Sequence, residues 1–207
     1  MGIVDRKVAV VVMAAGESKR FGGCKQLHPL DGSHTLLSQV VTQALGSQIG
    51  PVFVVTGRWH DVIEQAQKAG QLDSVPLLYC PDWSKGLGRS IAYATQVMSS
   101  DFDAMLILLA DQIALRAEDL QRLVESESTD QIVCAFYHEK RGVPALFPAS
   151  SFAQLQRLDG EHGARQLLRS GDTRVREVPI ERAAFDIDTR EALNDWQRRM
   201  QACQTDG

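Results

Sequence analysis

The sequence predicts a three-layer α/β fold with a mostly parallel central sheet. Short runs that are apolar on nearly every residue alternate with stretches whose apolar positions repeat at helical spacing. Runs of the first kind suit strands covered on both faces, and their alternation with helices is the pattern of a parallel sheet with crossover connections. Size agrees: 207 residues, 44% of them hydrophobic, suffice for one domain with a substantial core, residues 1–207.

In chain order, "VAVVVM" (Val8–Met13) reads as the first strand, because all six residues are apolar and three are β-branched in succession. "HTLLSQVVTQAL" follows as a helix, with Leu37, Val40, Val41, Ala44 and Leu45 on one face. "VFVV" (Val52–Val55), "PLLY" (Pro76–Tyr79), "AMLILLA" (Ala104–Ala110) and "IVCAFY" (Ile132–Tyr137) are the further strands. Helices are expected over Asp61–Ala69, Gly88–Met98, Ala117–Glu125, Ser150–Leu158, Gly163–Arg169 and Arg190–Gln201. The chain holds no repeat, low-complexity tract or linker. Ligands of such folds sit at the carboxyl ends of the strands, so the segments after the first strand, "AAGESKRFGG", and after the fourth, "LLADQ", carry the expectation of function.

Charge and composition exclude several classes. A net charge of −4 argues against nucleic acid and anionic membranes as partners, since both demand a basic face. Cys24, Cys80, Cys134 and Cys203 are scattered without a C-x-x-C pair, which favours reduced thiols and a cytoplasmic location over zinc or a disulfide framework. The apolar run near the N-terminus is too short to span a membrane, and "MGIVDR" lacks the Ser or Thr of a myristoylation signal at Gly2. Trp59, Trp83 and Trp196 read as packing residues, the five histidines show no metal-ligand spacing, and no G-x-S-x-G elbow occurs.

The stretch "VVVMAAGESKRFGGCKQL" (Val10–Leu27) points to a phosphate. Ala14, Ala15 and Gly16 allow close approach to the backbone, whose N–H groups bind polyphosphates. Arg20 offers a planar fork, and Lys25 a compact charge. Neither G-x-x-x-x-G-K-[ST] nor G-x-G-x-x-G is present, which argues against P-loop nucleotidases and dinucleotide oxidoreductases. Asp111 in "LILLADQIAL" ends an apolar strand, where a carboxylate is costly unless paired or metal-bound. It lies six residues before the Ala117 helix, too early to cap it. Mg²⁺ takes one or two carboxylates together with substrate phosphates, which makes Asp111 a candidate ligand. "FDIDTREAL" is expected to place Asp186 and Asp188 on one face of a strand, where side chains two apart point the same way. Asp188 is equally a candidate cap for the last helix. "CPDWSKGLGRSIAYA" sets Gly86 and Gly88 before a helix with Ser90 in its first turn, an arrangement that an ordinary loop and cap also produce.

These residues resemble a known family. "MAAGESKRFGGCKQL" is similar to the A-A-G-x-S-x-R-[FM]-G-x-x-K signature of MobA-like NTP transferases, most like the molybdenum cofactor cytidylyltransferase branch. The resemblance spans Val8 to about Trp196 and implies a Rossmann-like nucleotidyltransferase fold. It also implies a nucleotide site built by Ala14, Ala15, Gly16, Ser18, Arg20, Gly22, Lys25, Asp82, Gly86, Gly88 and Ser90, with Arg20, Lys25 and Asp111 in the catalytic roles. Asp111 with Asp186 or Asp188 would hold Mg²⁺. "KRGVPALF" and "LDGEHGARQLL" resemble the branch's acceptor motifs, implying contacts from Pro144, Gly163 and Arg165, although Arg165 reads equally as a surface cation. Ile113, Val143 and Arg190 depart from the pattern. The expected reaction is transfer of CMP from CTP to a phosphomonoester such as molybdopterin, with a molybdoenzyme as a further partner. The alternatives are a guanylyltransferase, an enzyme acting on a sugar phosphate, or a non-catalytic nucleotide-binding chaperone.

Overall fold

The computed structural model describes residues 6–127, 130–169 and 174–205, with side chains through residue 198. Gly2 and the side chain of Cys203 lie outside the described residues. Five strands fall within a residue of expectation: β1 (Val8–Ala14), β2 (Val52–Thr56), β3 (Leu77–Tyr79), β4 (Ala104–Leu109) and β5 (Ile132–Tyr137). Two more were not legible as strands, β6 (Lys140–Pro148) and β7 (Val175–Pro179).

All seven form one sheet in the order β3-β2-β1-β4-β6-β5-β7. The β1–β2, β2–β3, β1–β4 and β5–β7 pairs are parallel, and β6 runs antiparallel to both β4 and β5. The register between β5 and β6 jumps from Cys134↔Ala145 to Ala135↔Gly142, so Val143 and Pro144 bulge out of the ladder. A proline is tolerated there because no ladder bond needs its missing N–H.

Helices α1 (Leu36–Gly46), α2 (His60–Lys68), α3 (Leu87–Met98), α4 (Ala117–Glu125) and α7 (Arg190–Thr205) match expectation closely. The segment expected as a helix over Ser150–Leu158 is a 3-10 turn followed by the four residues of α5 (Phe152–Leu155). α6 (Arg165–Arg169) starts two residues late because Gly163 adopts φ +54°, outside helical geometry. Thr35 and Ser38 cap α1 reciprocally: each backbone N–H donates to the other's hydroxyl, at 2.8 and 3.2 Å.

The sheet is covered on both sides, as strands without polar faces require. Val8, Val10 and Val12 pack with Leu37, Val41, Ile63, Leu120 and Leu193 on one face. Ala9, Val11 and Met13 pack with Ile91, Met98, Phe152, Leu155 and Leu168 on the other. The chain leaves β1 towards β2 on one side and returns through α3 to β4 on the other. That reversal opens a crevice at the carboxyl ends of β1 and β4, where ligands of open α/β sheets bind.

Candidate active site

A cleft of about 450 Å³ fills this crevice, lined by residues 13–20, Lys25 and Gln26 after β1, by Leu109–Asp111 at the end of β4, and by Trp83, Ser84, Gly86, Leu87, Ser90, Glu161 and Asp188. The conformation of the first loop follows from where its carbonyls go. Gln26, only 4% exposed, donates its amide to the Ala14 and Gly16 carbonyls at 3.1 and 3.2 Å. The Ala15 carbonyl accepts from the Arg58 N–H at 3.2 Å, and the Glu17 carbonyl from the Trp59 indole at 3.1 Å. Four consecutive carbonyls are thus taken by the protein's own donors, which fixes the path of the loop along the cleft. The sequence reading missed Gln26 and Arg58 and treated Trp59 as packing. Only Gln26, directly after the signature's Lys25, lay where a local signal was available.

Cations and carboxylates face one another across the cleft. The Lys25 ammonium lies 2.7 Å from Asp111 Oδ2 and 3.6 Å from Asp188 Oδ1. Arg20 reaches Asp188 Oδ2 at 2.8 Å. Both Lys25 (12% exposed side chain) and Asp111 (18%) are largely buried. Asp111 Oδ1 is buried and has no hydrogen-bond partner among the described residues. The expectation of a strand at Asp186–Asp188 is corrected: the segment is irregular, between a 3-10 turn at Glu181–Ala184 and α7. Ile187 buries its side chain and donates its N–H to the Asp111 carbonyl at 3.2 Å. Asp188 accordingly lines the first cleft and Asp186 the second. Thr189 rather than Asp188 caps α7, its hydroxyl accepting from the Ala192 N–H at 3.2 Å. Desolvation of the Asp186 carboxyl, followed by repulsion from Asp188 and Asp111, raises its pKa from the ordinary value.

This donor set fits a hard divalent cation. Carboxylate oxygens are the ligands such ions prefer, and the orphaned Asp111 Oδ1 is a buried acceptor in want of a positive partner. Among the described residues no three metal-ligating side chains converge, so substrate phosphates would complete the shell.

Other expected residues divide. Ala14, Ala15, Gly16, Ser18, Gly86 and Ser90 line the cleft, and the Ser90 hydroxyl is fully buried without a partner among the described residues. Gly22, Asp82 and Gly88 do not line it. Gly22 closes a turn onto the Ser18 carbonyl at φ +77°. Asp82 is an exposed carboxylate paired with Lys85 and Arg89, at 3.0 and 3.1 Å, and these neighbours lower its pKa. Gly86 and Gly88 serve packing: a Cβ on either would meet the backbone of residues 159–161 at 2.5 to 3.0 Å. The Gly88 N–H also donates to the Gly160 carbonyl at 2.8 Å. Arg190, one of the departures from the pattern, donates to the Phe21 carbonyl at 3.1 Å and lies over the Phe21 ring, tying α7 to the first loop.

A second cleft of about 170 Å³ adjoins the first, and Leu87 and Leu109 line both. Its walls include Ile91, Ile107, Val143, Ala164 and Leu168, with Tyr137, His162, Arg165 and Asp186 as the polar groups and Gln112 between them. The Gln112 amide is spent on the Val143 and Ala183 carbonyls, at 2.7 and 3.0 Å. Arg165 lines this cleft. Pro144 is buried within β6, and Gly163 packs against Leu87, so neither lines it.

Comparison with known proteins agrees with this geometry. Residues 10–177 match the MobA-like NTP transferase domain. The purine catabolism protein PucB of Bacillus subtilis (strain 168) is 32% identical over 207 residues, covering 92% of this chain and 96% of PucB. Rv0371c of Mycobacterium tuberculosis H37Rv superposes with a TM-score of 0.81 at 24% identity, over 93% of this chain and 98% of that one. The same protein has also been solved in complex with manganese, with a TM-score of 0.77, 23% identity and the same coverage. A nucleotidyl transferase from Methanothermobacter thermautotroptrophicus gives 0.76 at 19% identity, over 95% and 99% of the two chains. The loop of engaged carbonyls, the carboxylates opposite its cations and the match over most of the chain lead to one conclusion: the protein belongs to the MobA-like NTP transferase family and is a nucleotidyltransferase.

Proposed function

We propose that this chain, as one domain in the cytoplasm, transfers CMP from CTP to the phosphate of molybdopterin and releases pyrophosphate. The observation that carries the reading is the meeting of Lys25 and Arg20 with Asp111 and Asp188 beside a loop whose carbonyls are already engaged. The loop amides with Arg20 and Lys25 hold the triphosphate and orient its α-phosphorus. An oxygen of the acceptor phosphate attacks in line; the new O–P bond forms as the bond to pyrophosphate breaks. A phosphomonoester is already ionised near neutral pH, so the step needs no general base. Mg²⁺ held by Asp111 with Asp188 or Asp186 supplies neutralisation of the phosphate charge when bound.

Two features support the finer assignment. "AAG" at Ala14–Gly16 and the "PDWSKGLGRS" stretch resemble the cytidylyltransferase branch. The second cleft, apolar on most walls and with Gln112 already committed, suits a ring system better than a polyhydroxylated sugar, which needs many free polar partners. Arg165 and His162 at this cleft provide cationic or donor groups for an anionic acceptor.

The test is magnesium-dependent pyrophosphate release with each of the four nucleoside triphosphates, with and without molybdopterin. Release with CTP only when the pterin is present is expected. Release with a sugar phosphate instead, or a preference for GTP, would overturn the acceptor or the nucleotide assignment respectively.

A further inference from the structure

We propose that Lys25 is the counter-ion that keeps Asp111 closed to divalent cations until a triphosphate draws the ammonium away, so that metal enters only with nucleotide. This inference rests on the triphosphate reading above and adds an order of binding to it.

The argument is one of competition for a single place. The Lys25 ammonium sits 2.7 Å from Asp111 Oδ2, in direct contact, and reaches Asp188 at 3.6 Å, so it bridges two carboxylates of the cleft. The remaining Asp188 oxygen is taken by Arg20 at 2.8 Å. A divalent ion ligated by Asp111 and Asp188 would stand beside that ammonium with three positive charges in one small, largely buried volume. At such distances and an intermediate dielectric, the ammonium's repulsion cancels a large part of the attraction that the two carboxylates offer, so the cation affinity of the pair stays low while Lys25 is in place.

A triphosphate changes the balance. Its oxygens lie within reach of the same flexible lysine stem, because Lys25 belongs to the loop that lines the cleft. It also brings negative charge that pairs with Lys25 and Arg20 together. Once Lys25 turns to the phosphates, Asp111 loses its counter-charge while Oδ1 is already without a partner. A carboxylate left so in a part-buried site binds a cation strongly. The lysine therefore stands in for the metal in the empty site and serves the nucleotide in the filled one.

The experiment is equilibrium dialysis of Mn²⁺ against the full chain at fixed free Mn²⁺, with and without a non-hydrolysable CTP analogue. Wild type is expected to retain Mn²⁺ at least tenfold more tightly with the analogue. Lys25→Met is expected to bind Mn²⁺ at least tenfold more tightly than wild type when no nucleotide is present, with Lys25→Gln as the second variant should the first fail to fold. Equal Mn²⁺ affinity of wild type and the Lys25 variants without nucleotide would overturn the counter-ion role. Tighter binding by the variants with no response of wild type to the analogue would overturn the exchange, by showing that the cleft takes no triphosphate.

Discussion

Gln26 commits both ends of its side-chain amide to the first loop, donating to two carbonyls and accepting the Ser18 hydroxyl at 3.4 Å. Gln26→Leu keeps the bulk and leaves those carbonyls unpaired in a buried setting. It should destabilise the fold by about 1–3 kcal/mol, read by urea unfolding, and raise the KM for nucleotide more than it lowers kcat. Asp111 makes the opposite case. If it acts as proposed, Asp111→Asn removes charge at constant shape and should lower kcat at least about a hundredfold, roughly 3 kcal/mol of transition-state stabilisation. Steady-state pyrophosphate release measures it, and near-normal turnover would dismiss the metal role. These two residues differ in legibility: Asp111 stands out as a carboxylate after an apolar run, whereas Gln26 is inconspicuous in sequence and acts through burial.

At the scale of elements, the start of α3 and the segment before α6 lock together through glycine. A Cβ on Gly88 would lie 2.6 Å from the Asp159 carbonyl oxygen, a clash that only a shift of this backbone relieves. Gly88→Ala should therefore cost about 1–3 kcal/mol. Because His162 and Arg165 follow directly, it should raise the acceptor KM more than the nucleotide KM. Gly46 at the end of α1 is the control, since its Cβ would meet nothing nearer than Ala117 at 3.8 Å. Gly46→Ala should stabilise by about 0.4–1 kcal/mol, and thermal melts of the two variants give the comparison. The sequence placed Gly86 and Gly88 in the nucleotide site by resemblance; for Gly88 the structure assigns a packing task, because the atoms it accommodates come from a segment some seventy residues further along.

Over the whole molecule, one sheet joins a parallel half that carries the first cleft to a mixed half, with β6 antiparallel to both neighbours, that helps to build the second. Its interior also sets a pH limit. Cys134 on β5 is fully buried, and that burial pushes its thiol from 9.0 up to about 11. A raised value in the folded state means that the contribution is fully present below pH 9 and is lost as pH climbs to about 11. The loss amounts to about 2–3 kcal/mol. Urea unfolding across that range should show a flatter pH dependence for Cys134→Ala than for wild type, although the variant is less stable at neutral pH. Wild-type Cys80 and Cys134 should also resist alkylation longer than half-buried Cys24, as mass spectrometry of the labelled peptides would record.

The sequence by itself determined the strands β1 to β5, the main helices and the small, cationic character of the first loop. All of these are written in local composition and period: β1 is apolar at every position, α1 repeats at helical spacing, and the loop's small residues and cations are neighbours in the chain. Tertiary structure alone decided the rest. β6 carries Gly142 and Pro144, residues that weaken a strand pattern, and only a bulge opposite β5 accommodates the proline. β7 has too few buried residues to announce itself. Asp186 and Asp188, expected on one face, part into two clefts because Ile187 is pinned to the carbonyl of Asp111. The Glu17 carbonyl finds its donor in Trp59, 42 residues away. Contacts between distant segments arise only once the sheet has assembled, and no window along the chain contains both partners.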